Sequence, residues 1–230
     1  MKAIINTAPN VMQWLDIPLP VPGPGQVRIR TGACGICATD LAMIAGWERT
    51  GFPSTPGHEW SGTVDAVGPS VDGAFVGQPC VAENVWAADG GEVGFEHPGG
   101  YGQYLITEAH NVQTLPADFP FATATLIEPL AVCVRAMHRL GPVRGNVLIF
   151  GDGPIGLLTT ALLAQRGAGD ITLVGGRAQR LSLAREFGAH CTLNHHELSG
   201  DLAQAIRAQA GGAFSAVVEA TGSDAAIRAA

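Results

Sequence analysis

The chain has 230 residues, 47% hydrophobic and 14% charged, with a formal net charge of −7. This composition excludes an intrinsically disordered chain, and an acidic balance without any basic run excludes nucleic acid or an anionic membrane surface as the main partner. No stretch reaches the ~18 apolar residues of a membrane-crossing helix, and the opening "MKAIINTAPN" lacks the apolar core of a secretion signal, so a cytoplasmic location is expected.

Taken in chain order, the first half predicts short strands joined by tight turns. "QVRIRTG", "SGTVDAVG", "GQPCVAEN" and "GYGQYLITE" are strand-like runs punctuated by Gly and Pro. Helical periodicity first becomes long in "ATATLIEPLAVCVRAMHRLG", which stops at Gly141-Pro142. From Asn146 apolar runs alternate with helices: "NVLIFG", "PIGLLTTALLAQRGAG", "DITLVGG", "RAQRLSLAREFGA", "HCTLN", "ELSGDLAQAIRAQAGG" and "FSAVVEATG". Strands apolar on both faces, each followed by a helix, predict a parallel sheet of βαβ units. The expected organisation is a β-rich domain over residues 1–141 and an α/β domain over residues 142–230.

The α/β half contains a nucleotide-binding fingerprint. Strand "NVLIF" runs into Gly151-Asp152-Gly153-Pro154-Ile155-Gly156, a G-x-G-x-x-G that opens a helix and is followed by a second strand. The first glycine serves the tight turn, the second lets backbone approach a pyrophosphate, and the third lets helix and strand pack closely. Pro154 and Ile155 begin the helix whose unpaired N–H groups would face the phosphates. The second strand ends in "LVGGRAQR", without the carboxylate that binds ribose hydroxyls in NAD sites. Gly175 is followed instead by Arg177 and Arg180, two guanidiniums suited to a ribose 2′-phosphate, so NADP is expected ahead of NAD. The ordinary alternative, that both arginines are solvated helix residues, stays open.

In the β-rich half, "GACGICATD" places Cys34 and Cys37 in a C-x-x-C. That pair alone fits a redox dithiol, half of a zinc knuckle, or one metal ligand beside an unrelated neighbour. The five cysteines are scattered, and there is no second C-x-x-C, which argues against a disulfide framework or a knuckle. A thioredoxin-type dithiol belongs in a βαβ setting, not in a β-rich half. Thr39 and Asp40 follow Cys37, His58 and Glu59 follow in "PGHEW", and Glu128 in "LIEPLAV" opens a helix. Singly, each has a bland reading: Cys37 as a buried small hydrophobe, His58 as a turn residue, Glu128 as a carboxylate drawn to a helix N-terminus.

Taken together and in order, "GICATD", "GHEWSGTV", "GGYGQYL", "LIEPLAV" and "GDGPIG" resemble the zinc-dependent medium-chain dehydrogenase/reductase (alcohol dehydrogenase) family, most of all its sorbitol and polyol dehydrogenase branch. The resemblance implies a GroES-like β-rich catalytic domain followed by the first part of a Rossmann nucleotide-binding domain. It also implies an oxidoreductase for a small-molecule alcohol or polyol, using one catalytic Zn2+ and NADP or NAD, and it leaves a homo-oligomer open. The implied zinc ligands are Cys37, His58 and Glu128, with Glu59 as a fourth or exchanging ligand. Thr39 would take the hydroxyl proton, Asp40 would orient His58, and Thr221 in "VVEATGS" would join the cofactor site. Cys34 is left as a buried strand residue. Two alternatives remain: a zinc-free quinone or enoyl reductase, against which the Cys, His and Glu set argues, and a non-catalytic dinucleotide-binding or structural chain.

The sequence departs from the family pattern in three places. Many relatives hold a structural zinc on four cysteines after the strand corresponding to "CVAEN". Here "VWAADGGEVGFEHPGGYGQ" carries none, so no structural zinc is expected. A histidine that often assists proton release is replaced by Ala42. Relatives also run on for about a hundred further residues that complete the doubly wound sheet, so an incomplete nucleotide domain with an open fourth-strand edge is expected. His97, His110, His138, His190, His195 and His196 match no motif position and read as structural or surface residues.

Overall fold

A computed structural model describes residues 1–47, 49, 51–198, 200–209 and 212–229. Their contacts divide the chain into two units, Met1–Glu128 and Pro129–Ala230.

The first unit opens with the antiparallel hairpin β1 (Lys2–Ala8) and β2 (Val11–Asp16). Its main sheet contains β3 (Gln26–Cys34), β4 (Trp60–Val67), β5 (Pro79–Ala82), β6 (Tyr104–Glu108) and β7 (Val112–Thr114), in the spatial order β6-β3-β4-β5-β7. Alternation along β3 turns Val27 and Ile29 inward, where they meet Trp60, Val64, Cys80, Val93, Leu105 and Val112. Each such aliphatic side chain contributes about 2 kcal/mol by leaving water. Arg28, between them, points the other way and forms an ion pair with Asp65 at 2.6 Å. Helix α1 (Ala38–Ala45) lies between β3 and β4 in sequence, and the short α2 (Phe121–Ala124) precedes α3 (Ile127–Leu140).

The Gly141-Pro142 boundary expected from sequence coincides with the end of α3, whereas packing divides the chain near the helix's start. Met137 of α3 belongs to the same core cluster as Val147 and Ile149, so the helix body packs with the second unit. Gly-Pro punctuation marks where a helix stops, and that need not be where contacts between two cores thin out.

The second unit is a four-stranded parallel sheet of β8 (Asn146–Phe150), β9 (Ile171–Gly175), β10 (Cys191–Asn194) and β11 (Phe214–Glu219), in the order β10-β9-β8-β11. Helices α4 (Pro154–Gln165), α5 (Ala178–Glu186) and α6 (Leu202–Gln209) connect successive strands, and α7 (Asp224–Ala229) follows the last. "NVLIF" is apolar throughout because both faces of β8 are covered. Val147 and Ile149 pack with Leu157, Leu163 and Leu181, while Leu148 and Phe150 pack with Val174, Leu193 and Ile206. From β8 the chain moves to β9 on one side and later returns to β11 on the other, so strand order reverses at β8. In open α/β sheets the crevice at such a reversal is where ligands bind. Among the described residues, no helix is long and apolar enough to cross a membrane.

Candidate metal centre and nucleotide site

Sheet register assembles the first site. Cys34 at the end of β3 is the partner of Trp60 at the start of β4, so the residues just past one strand lie beside those just before the other. Cys37 follows β3 as the N-cap of α1, and His58-Glu59 immediately precede β4. One ligand atom each from Cys37, His58 and Glu59 lies within 4.8 Å of the other two, the one such group of His, Cys, Asp or Glu among the described residues. Sulfur, imidazole nitrogen and carboxylate oxygen are the donor types that catalytic zinc sites combine, and such sites keep one coordination position open.

Asp40 supports this group from behind. Fully buried at the third position of α1, it accepts the N–H of Cys37 at 2.8 Å and that of Gly57 at 3.2 Å. It also accepts the Tyr101 hydroxyl at 3.2 Å, and its Oδ1 stands 3.3 Å from His58 Nδ1. That ring nitrogen is buried and makes no well-aligned hydrogen bond, so Asp40 is its electrostatic partner. Burial pushes the Asp40 carboxyl up, yet the His58 imidazole beside it and the Cys37 N–H hold it below its ordinary value. Burial likewise opposes charge on His58, but Asp40 and Cys37 overrule it and raise the imidazolium to about 10. The hydrogen bond with His58 lowers the Cys37 thiol. Ligand deprotonation and metal binding are linked in such a set.

The C-x-x-C pair divides here. Burial, followed by the charges of Asp40 and Glu59, pushes the Cys34 thiol up to about 12, in the opposite direction from Cys37. Thr39 Oγ1 lies 3.6 Å from the Cys37 sulfur. Glu128 sits in the first turn of α3, outside the three-residue group. Burial raises its carboxyl; His58 pulls it down and Glu59 pushes it up. The structure thus brings Glu59, rather than Glu128, to Cys37 and His58. Tyr101 has no assigned role in the sequence reading, although it stands inside the quoted "GGYGQYL" motif.

In the second unit, Gly153 is the N-cap of α4 and Pro154 its first residue, followed by Ile155. A Cβ on Gly156 would fall on the carbonyl oxygen of Gly151, so helix and strand approach too closely for any side chain there. Gly151, Gly175 and Thr221 lie at or just beyond the C-terminal ends of β8, β9 and β11, with Arg177 two residues past β9 and Arg180 in the first turn of α5. The Thr221 N–H and hydroxyl both donate to Glu219. Two further residues gather here that the sequence reading leaves without a role. Asp152 is buried and accepts the N–H groups of Gly176 and Arg177 at 3.1 and 2.8 Å. His195 has its Nδ1 2.7 Å from the Gly175 carbonyl, with the His196 ring 4.0 Å away.

Both halves of the chain are similar to known proteins. Residues 23–117 match the model of the alcohol dehydrogenase GroES-like domain, and residues 154–230 match that of the zinc-binding dehydrogenase domain. The galactitol 1-phosphate 5-dehydrogenase of Escherichia coli K12 is 30% identical over 223 residues, which are 90% of this chain and 64% of that protein. The L-threonine 3-dehydrogenase of Pyrococcus furiosus is 34% identical over 218 residues, 86% of this chain and 62% of that one. The crystal structure of a candidate zinc-binding dehydrogenase from Sinorhizobium meliloti 1021, bound to NADP, superposes with a TM-score of 0.88 at 26% identity, covering 98% of this chain and 71% of that one. The chain therefore spans less than two thirds of the length of these two curated relatives. With a GroES-like domain, a Rossmann-like parallel sheet and both family models matched in order, the chain belongs to the zinc-binding medium-chain dehydrogenase/reductase family.

Proposed function

We propose that this protein interconverts a secondary alcohol or polyol with its ketone, using one catalytic zinc and, in preference to NAD, NADP. The observation that carries the reading is the convergence of Cys37, His58 and Glu59 within 4.8 Å, with buried Asp40 behind the imidazole. A zinc held there supplies Lewis acidity, lowering the pKa of an alcohol hydroxyl. Cys37, His58 and Glu59 are its available ligands, and Glu128, coupled electrostatically to Glu59, is the candidate to exchange with it. Asp40 occupies the Nδ1 side of His58, which leaves Nε2 as the metal-facing nitrogen. Thr39, beside the Cys37 sulfur, is the hydroxyl to which the substrate proton passes. Ala42 has no side chain to carry that proton further, so release runs through solvent or cofactor hydroxyls.

A bound nicotinamide would supply the hydride acceptor for the carbinol carbon, while Thr39 takes the hydroxyl proton, so that alcohol and oxidised cofactor balance carbonyl, reduced cofactor and one proton. In the second unit the Gly151–Gly156 turn and the start of α4 are the pyrophosphate site, and Arg177 and Arg180 face the ribose 2′-phosphate. A single zinc per chain is expected because the lobe after β5 contains no cysteine. The names of the relatives put a polyol phosphate and a hydroxy amino acid on the substrate panel. A cytoplasmic location belongs to this reading, supported by the odd, scattered cysteines.

The test combines zinc analysis with initial rates for such a panel on NADP and NAD. One zinc per chain, activity lost to a chelator and restored by zinc, and a higher kcat/KM with NADP are expected. Two zincs per chain would refute the stoichiometry, and a higher kcat/KM with NAD would refute the cofactor preference.

A further inference from the structure

The tip of β9 is built by three segments remote in sequence. From the glycine turn, Asp152 reaches across and takes the N–H groups of Gly176 and Arg177 on one carboxylate oxygen, at 3.1 and 2.8 Å. Its other oxygen stands 3.9 Å from Arg177 Nη1. From the turn after β10, His195 engages the Gly175 carbonyl with its backbone N–H at 3.0 Å and its ring Nδ1 at 2.7 Å. The two residues between which the chain leaves the strand are therefore fixed on their N–H and C=O sides at once.

This arrangement has a steric consequence. A Cβ built on Gly175 would lie 2.6 Å from Asp152 Cβ and 2.9 Å from its Cγ, closer than real side-chain carbons approach. Asp152 Cβ belongs to the short, buried base of its side chain and cannot swing aside as the end of a long chain would. Position 175 at the strand tip is where a Rossmann sheet ordinarily carries the acid that binds the ribose hydroxyls. Here a carboxylate comes to that place from the glycine turn, and its hydrogen bonds go to backbone N–H groups.

We propose that Asp152 is a positioning residue for cofactor choice: it excludes an acidic side chain from position 175 and holds the Gly176–Arg177 turn so that Arg177 faces a ribose 2′-phosphate. The second half of this statement rests on the NADP reading above; the first half does not.

The experiment is a double-mutant cycle on the full chain, with Asp152→Gly, Gly175→Asp and the pair, alongside Asp152→Ala and Asp152→Asn, followed by thermal unfolding and by NADPH and NADH fluorescence titration. Gly175→Asp is expected to lower the melting temperature in the wild-type background and to be tolerated once Asp152 is glycine, which alone removes the Cβ that a side chain at 175 would meet. Equal effects in both backgrounds would overturn the exclusion, whatever the cofactor. Asp152→Ala is expected to weaken NADPH about tenfold, the scale of one charge-assisted hydrogen bond, and NADH by less than about threefold. Asp152→Asn, which keeps an acceptor oxygen for the two N–H groups, is expected to restore most of that loss. NADPH and NADH weakened alike by Asp152→Ala would overturn the positioning role. A wild-type chain that binds NADH more tightly would remove the NADP reading while leaving the steric exclusion to be judged by the melting data.

Discussion

Asp40 serves four partners with one buried carboxylate: two backbone N–H groups, the Tyr101 hydroxyl and the His58 ring. Removing it leaves all four without their acceptor in a buried or half-buried setting, where each unmet donor costs about 1–3 kcal/mol. Asp40→Ala is accordingly expected to destabilise the apoprotein by roughly 3–5 kcal/mol in urea unfolding, and Asp40→Asn, which keeps an acceptor, by less than half of that. A loss under about 1 kcal/mol for the alanine variant would show that the network carries little stability. The two cysteines separate by the same reasoning. Cys37→Ser is expected to abolish zinc binding and Cys34→Ser to retain it, as measured by zinc content after dialysis. Zinc is also expected to protect Cys37, but not Cys34, from alkylation followed by mass spectrometry. Equal damage from both serine variants would reopen the dithiol reading of "GICATD".

At the scale of elements, the lobe between β5 and β6 is fastened by side chains. The Trp86 ring stacks on His97 at 3.7 Å, His97 Nε2 lies 3.2 Å from Asp89, and Glu108 accepts the N–H groups of Ala87 and Ala88. Arg49 adds a clamp, pairing with Glu92 at 2.9 Å and Glu96 at 3.1 Å while its guanidinium lies 4.2 Å from the Phe95 ring centre. Of these, the aromatic stack and the cation–π contact contribute roughly 0.5–1 kcal/mol each, while the exposed ion pairs add little. Trp86→Ala is therefore expected to expose the lobe to limited proteolysis. A chelator should leave the cleavage rate there unchanged, and cleavage released by the chelator alone would indicate a second, structural metal. His97, read from sequence as structural or surface, is in contact with both Trp86 and Asp89 here.

At the scale of the whole molecule, the two units have separate cores. All four tryptophans, Trp14, Trp47, Trp60 and Trp86, lie in the first unit, so their fluorescence reports on that unit alone. A ligand that binds only the folded form stabilises it by about 2.7 kcal/mol at a hundredfold excess over Kd. Zinc is expected to raise the midpoint of the tryptophan transition, and NADP to raise the transition seen by circular dichroism of the helical second unit. A single transition shifted equally by either ligand would show that the two units unfold as one.

The sequence by itself determined the class of each half. Strand punctuation, continuous apolar runs and G-x-G-x-x-G depend only on local periodicity and turn geometry, and these survive into the fold at β8, β9 and α4. Cys37, His58, Glu59 and Glu128 were legible as a set only through the resemblance of "GICATD", "GHEWSGTV" and "LIEPLAV" to a family, since singly each has a bland reading. What only the tertiary structure decided is how residues distant in sequence share space. Strand register places Glu59 rather than Glu128 in the tight group, α3 packs its body with the second unit, and Asp152 meets Gly175 across the end of the sheet. Those outcomes depend on excluded volume and on hydrogen bonds between separate segments, which no local pattern in the chain encodes.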